Sequence, residues 1–207
     1  MSLIFYCIVV GLCEEFLCRG WIQNEFLERY GSNRKQVIIS IGREFGSAGH
    51  EIAEMVAENM GIELYDRKML DELANRYNMD PQEIEKYDES PRNVLLSRNV
   101  RGFSNSLQEA VAELQFTFLK EKAAEGNSFV VVGRCSDSVL AEYACMSTFF
   151  ITGDFEPKVS RIMEKYNLDR HEAISKMYRH DKKRKAYHDL YSKHPWGEAQ
   201  SCALTRF

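Results

Sequence analysis

Nothing in this sequence pairs its cysteines. The six, Cys7, Cys13, Cys18, Cys135, Cys145 and Cys202, include no CxxC pair and stand at no spacing to histidine that suits zinc. That pattern reads as reduced thiols in a cytoplasmic protein rather than as a disulfide framework or a zinc module. An excess of positive charge is also missing: 27 Lys and Arg against 31 Asp and Glu give a formal charge of −4, which excludes a general nucleic-acid binder. The apolar stretch Leu3 to Leu12 falls well short of the roughly 20 residues that span a bilayer. No basic segment precedes it and Glu14 and Glu15 follow at once, so neither a signal peptide nor stable membrane insertion is expected. There is no internal repeat and no low-complexity tract. At 207 residues the chain has room for one α/β domain and an appendage.

What is present is concentrated between Val37 and Gly61, where VIISIGREFGSAGHEIAEMVAENMG sets an apolar β-branched run before a glycine-rich turn and an amphipathic helix. A strand feeding a glycine loop at a helix N-terminus builds a phosphate cradle. Small residues let backbone N–H groups approach an anion, and the helix dipole adds partial positive charge. The strict P-loop pattern has Lys and then Ser or Thr after its last glycine, whereas this chain has Gly49, His50 and Glu51.

The spacing predicts a strand over 37–41, a helix over 49–60 with Ile52, Met55, Val56 and Met60 as its buried stripe, and Gly61 as its C′ residue. A short strand IELY follows. Asp66 caps a helix through Leu73, Asp80-Pro81 opens another, and residues 90–105 read as a mobile connection. A long helix over 106–125 precedes two buried strands, 129–132 and 147–151. Asp154 caps the next helix, and Asp169 with Glu172 forms a capping box for a last one that carries a run of basic residues. Strands alternating with helices imply a parallel sheet with helices on both faces, and ligands bind beyond the carboxyl ends of such strands. Those ends carry Arg43 to Gly49, Tyr65-Asp66, Gly133-Arg134 with Asp137, and Thr152 to Asp154.

Four landmarks, REFGSAG (43–49), LYDR (64–67), VVVGRCSDSVL (130–140) and DKKRKAYHDLYSKHPWG (181–197), occur in the order in which the cytidylate kinase-like family of P-loop proteins has them, and the stretch from Val37 to about Gly197 resembles that family. The resemblance implies a three-layer P-loop NTPase-like domain over 36–207. It also implies ATP- and Mg²⁺-dependent phosphoryl transfer to a nucleoside monophosphate, CMP or dCMP. On that reading Arg43, Gly46, Ser47, Ala48 and Gly49 hold the donor phosphates, and Asp66, Arg134 and Asp137 face the acceptor. Arg43, Arg161 and the lid residues Lys182, Lys183 and Arg184 surround the transferring group. The family pattern continues after Trp196-Gly197 through a strand and a helix, so the chain is expected to lack them, and the strand over 147–151 becomes an edge open to a second copy. Arg134 is separated from Asp137 by Cys135 and Ser136, where the kinase motif has the two adjacent. A nucleotide- or phosphate-binding module without catalysis is the alternative.

Residues 1–35 stand apart as an extraneous helical segment. EEFLCRG (14–20) resembles the EExxxR motif of the CPBP (CAAX-processing) intramembrane glutamic endopeptidases, and WIQNEFLERYG continues the likeness. The later membrane helices that such proteases need are not written in this chain, so a membrane protease is the distant third reading.

Overall fold

In the computed structural model, which describes residues 36–67, 69–77, 80–81, 99–100, 103–104, 107–197 and 205–206, the elements follow the order the sequence spacing implies. Strand β1 (Ile38–Arg43) feeds helix α1 (Gly49–Met60), followed by β2 (Glu63–Tyr65) and α2 (Met69–Tyr77). Two-residue strands β3 (Asn99–Val100) and β4 (Phe103–Ser104) pair antiparallel inside the stretch read as a mobile connection. Then come α3 (Leu107–Ala124), β5 (Phe129–Val132), the single turn α4 (Ser136–Val139), β6 (Met146–Thr152), α5 (Phe155–Tyr166), α6 (Arg170–Tyr191) and β7 (Thr205–Arg206). The segment 1–35, with its protease-like motif, and the helix expected to continue past Pro81 lie outside the described residues.

The main sheet has the order β2-β5-β1-β6-β7, with every pairing parallel. Successive side chains of a strand face opposite ways, and here both faces are covered. Ile39 and Ile41 of β1 join Val130 and Val132 of β5 under α1, against Ile52, Ala53 and Val56. Ile38, Phe129 and Val131 face the other way, onto Leu73 of α2 and Phe118 and Leu119 of α3. These two apolar layers make the three-layer α/β sandwich. The buried stripe of α1 is Ile52, Ala53, Val56 and Ala57, with Met55 and Met60 only partly buried at its border.

Local signals place several boundaries. Gly61 adopts φ 63° and its N–H closes α1 on the carbonyls of Ala57 and Glu58. Both bonds of the Asp169–Glu172 capping box form at the start of α6. Asp154 occupies the N-cap of α5, but its side chain makes no capping hydrogen bond. Sheet closure needs one correction: a last strand is present as β7, whose Thr205 and Arg206 pair with Ile151 and Thr152. The edge of β6 is therefore covered at its carboxyl end. No helix among the described residues is long and apolar enough to cross a membrane.

Candidate functional site

The carboxyl ends of β1, β2 and β5 open into a cleft of about 580 Å³, within the range of small-molecule sites. The cleft is roofed by α5 and α6. Its cations are Arg43, Arg67, Arg134, Arg161, Lys165, Lys183 and Arg184, and its carboxylates are Glu44, Glu51 and Asp66. Seven positive groups thus face three negative ones in a chain whose formal charge is −4. That local reversal of sign suits a polyanion.

The loop after β1 owes its shape to close packing. Gly46 has φ 84°, and a β-carbon there would lie 2.9 Å from both the Lys158 carbonyl oxygen and Ile162 Cδ1 of α5. Ala48 takes the left-handed conformation at φ 63° as the N-cap of α1, a position that costs a residue with a β-carbon about 1–2 kcal/mol. The first turn of α1, Gly49 to Glu51, then lines the cleft and presents the positive end of its dipole there. Glu44 secures the loop from behind: its Oε2 accepts from Thr152 Oγ1 at 2.6 Å, Gly153 N at 3.3 Å and Lys158 Nζ at 2.8 Å. Burial pushes the Glu44 carboxyl up, but these three donors and the Lys158 charge outweigh it and hold the group below the usual carboxylate range.

Phe45 at the tip of the loop is gripped from the roof. Its ring stacks on His180 at 4.3 Å between centroids, Tyr166 lies at 5.8 Å, and the Arg184 guanidinium stands 5.6 Å from the ring. Its backbone N–H donates to Asp181 Oδ1 at 2.7 Å. Arg184 Nη1 also donates to the Arg43 carbonyl at 3.4 Å. Burial and the Arg184, Lys176, Arg179 and Lys183 charges push the His180 imidazole down to about 4, so it is neutral at pH 7. The Asp181 carboxyl is pushed up, by burial first, against the opposing pull of the Phe45 N–H. On α5, Lys165 Nζ meets Glu51 Oε1 at 2.8 Å. Burial raises the Glu51 pKa, but Lys165 and Arg161 more than reverse it and leave it lowered.

The turn after β5 is the most strained part of the site. Gly133, Arg134 and Cys135 have φ of 73°, 57° and 53°, two of them with side chains. Such conformations persist where surrounding contacts hold them and cluster at functional sites. Ser136 Oγ donates to the Gly133 carbonyl at 2.8 Å and lies 2.7 Å from Ser40 Oγ, which locks the turn to β1. Arg134, only 3% exposed, is directed into the cleft wall, where Nη1 donates to the Val132 carbonyl at 3.3 Å.

Of the residues singled out from sequence, Arg43, Gly46, Ala48, Gly49, Asp66, Arg134, Arg161, Lys183 and Arg184 line this cleft. Three do not. Ser47 turns its hydroxyl back to the Glu44 carbonyl at 2.9 Å. Lys182 is exposed, because α6 presents His180, Lys183 and Arg184 to the cleft and a residue between them in sequence points elsewhere. Asp137 is bonded to His188 Nε2 at 2.8 Å and lines a separate small cavity. Sequence reasoning assigned no role to Arg67, Lys165 or His180. Arg67 follows Asp66 at the end of β2, and Lys165 stands four residues after Arg161 on the same face of α5, so both carried a spacing signal. His180 carried none.

These features define a parallel α/β domain with a cationic cleft at the carboxyl ends of its strands. The chain belongs to the cytidylate kinase-like family, whose model matches residues 38–205. Residues 1–47 match the family described as type II CAAX prenyl endopeptidase Rce1-like. Among solved structures the chain is similar to an uncharacterized protein from Eubacterium ventriosum ATCC 27560, at 33% identity over 83% of this chain and 88% of that one, with a TM-score of 0.65. TT1252 from Thermus thermophilus is 15% identical over 84% of this chain and 90% of that one, with a TM-score of 0.42. An unliganded sugar kinase from Janibacter sp. HTCC2649 is 14% identical over 83% and 85%, with a TM-score of 0.45. No curated protein matches the sequence.

Proposed function

We propose that the chain transfers the terminal phosphoryl group of ATP to a nucleoside monophosphate, CMP or dCMP, at this cleft. The observation that carries the reading is the convergence of Arg43, Arg134, Arg161, Lys183 and Arg184 on a glycine loop at a helix N-terminus. Phosphoryl transfer asks for positioning and charge neutralisation more than for covalent chemistry. The acceptor phosphate is already ionised at neutral pH, so its oxygen attacks the γ-phosphorus without a protein base. The bond from that phosphorus to the β–γ bridging oxygen breaks, leaving ADP and a nucleoside diphosphate.

Each residue then has a task its position supports. The loop from Gly46 to Gly49, Arg43 and the first turn of α1 hold donor phosphates. Arg134 and Asp66, at the ends of β5 and β2, hold the acceptor. Arg161, Lys183 and Arg184 close on the transferring group and exclude water. Magnesium fits the donor set through few protein oxygens, since Glu44 is engaged by three donors and Glu51 by Lys165. Asp66 faces the cleft, and one or two carboxylates with substrate phosphates are a usual Mg²⁺ complement. When bound, the ion would spread the negative charge of the donor phosphates.

A binding module without turnover is favoured by one observation: Gly49 stands where a P-loop kinase carries lysine. Purified protein with ATP, Mg²⁺ and a panel of nucleoside monophosphates, followed for ADP release, separates the two. Acceptor-dependent ADP release with CMP or dCMP is expected. Arg134→Ala should raise the acceptor KM about 10- to 100-fold through loss of charge-assisted hydrogen bonds. ATP binding with no turnover on any acceptor would replace the kinase reading with the binding module.

A further inference from the structure

The residue that sequence reasoning placed at the acceptor, Asp137, belongs to a different cluster. Cys135, from the strained turn after β5, and Asp137, from α4 directly after it, meet His188, from the last turn of α6, with one ligand-type atom of each within 4.8 Å of the others. From this cluster we infer a site for a borderline-soft divalent cation, of which Zn²⁺ is the natural occupant. The inference is independent of the phosphoryl-transfer reading.

The donor set is the argument for the class of metal. A thiol, an imidazole and a carboxylate suit zinc, whereas Mg²⁺ and Ca²⁺ take oxygen donors. Three protein ligands with a fourth position open is a known zinc arrangement. Space exists beside them: a cavity of about 40 Å³ is lined by Cys135, Asp137 and His188, above the roughly 10–15 Å³ that a water-sized occupant needs. The polar groups there are also incompletely used. His188 is 9% exposed; its Nε2 lies 2.8 Å from Asp137 Oδ2, while its buried Nδ1 makes no hydrogen bond and has Asp189 Oδ1 at 3.8 Å. Cys135 is 3% exposed, and its Sγ has a long 3.9 Å contact to the His188 carbonyl and the Ser138 side chain as a further partner.

Burial, and then the Asp137 charge, pushes the Cys135 thiol up to about 12, so it is protonated and inert as a nucleophile without a metal. Metal binding forms a metal–sulfur bond and releases the thiol proton to solvent. Two ligands 2.0–2.1 Å from a tetrahedral zinc stand about 3.3 Å apart. The 2.8 Å Asp137–His188 pair therefore has to open by about half an ångström when an ion replaces the shared proton. Cys135 and His188 are 53 residues apart in sequence. An ion between them would clip the roof helix α6 to the turn that carries Arg134.

Cobalt(II) is the probe, because a cobalt–thiolate bond gives a near-ultraviolet charge-transfer band that oxygen and nitrogen ligands do not. One equivalent of Co²⁺ added to the full, reduced chain should produce that band, and Zn²⁺ should displace it. Zn²⁺ should also raise Tm in the wild type. Cys135→Ser should abolish the band, and Asp137→Asn and His188→Asn should each weaken Co²⁺ binding about 10- to 100-fold. Absence of the band in the wild type overturns the inference, as does a band that survives Cys135→Ser unchanged, which would place the metal on another cysteine. Circular dichroism checks folding of each variant. Should Cys135→Ser fail to fold, unchanged Co²⁺ affinity in both Asp137→Asn and His188→Asn overturns the inference.

Discussion

Replacing Glu44 by alanine should leave a lysine without its carboxylate. The Lys158 side chain is 10% exposed and that of Glu44 is 26% exposed. The Glu44 carboxylate oxygen that accepts from Lys158 also accepts from Thr152 and Gly153, so the substitution removes three bonds at once. Breaking a fully buried pair costs about 3–5 kcal/mol. Water reaches the outer edge of Glu44, which brings the expected loss for Glu44→Ala to about 2–3 kcal/mol, or about 4–12 °C in Tm for a chain of this size. Lys158→Met removes the buried charge and leaves Glu44 with two donors and some solvent, for about 1 kcal/mol. The double variant should therefore be more stable than the sum of the single losses by about 1–2 kcal/mol. The pH dependence has a definite sign. The folded pKa of Glu44 lies below its usual 4.5, so its contribution is fully present above pH 4.5 and fades as pH falls through the folded value. Urea unfolding of the four proteins at pH 7 and in acid measures all of this. Additive losses, or a wild type-to-Glu44→Ala gap that stays constant into acid, would refute the reasoning.

Two further outcomes follow from the same loop and its roof. Gly46→Ala should cost about 2–3 kcal/mol, since it combines a left-handed φ with contacts to Lys158 and Ile162 under 3 Å; a urea midpoint within error of wild type would show that α5 yields freely. His180, held neutral with a pKa of about 4, should take up a proton more readily when a polyphosphate fills the cleft and offsets the surrounding cations. Because its folded pKa is below the usual 6.5, its contribution to stability is complete above that pH and declines as pH falls toward 4. NMR titration of His180 with and without inorganic triphosphate checks the upward shift, and coincident curves would contradict it.

Local chemistry made much of the fold legible. The continuous apolar run at 129–132 announced a strand covered on both faces, and Gly61, Asp169 and Glu172 announced helix ends through contacts spanning four or five residues. The face of α6 was hard to read, because basic residues surround the helix and interrupt the sparse apolar stripe of Ala173, Met177 and Tyr187 that orients it. Packing of Ala173 and Met177 against Val159 and Ile162 of α5, and of His180 on Phe45, turns His180, Lys183 and Arg184 toward the cleft and Lys182 away from it. The Cys135–Asp137–His188 cluster was hidden for a similar reason. Its members come from two elements whose approach depends on the tertiary fold, so no motif spacing records it.

The absence of a loop lysine has a steric origin within this chain. A β-carbon on Gly49 would lie 3.0 Å from Arg43 Cγ and press harder still on Arg43 Cβ, so no side chain fits at that position while Arg43 keeps its place. Arg43 in turn lines the cleft beside the first turn of α1. On the proposed phosphoryl-transfer reading, Arg43 would take both the room and the charge of the usual lysine. The difference is chemical as well as positional, since a guanidinium makes planar, two-point contacts to phosphate where an ammonium acts as a point charge. A cradle built this way depends on the Arg43 side chain staying folded over Gly49. The bond from Arg184 to the Arg43 carbonyl and the Asp181 bond to Phe45 tie the loop that carries it to α6. Loop shape, roof position and cation supply are therefore one mechanical unit, and a change in any of them moves the others.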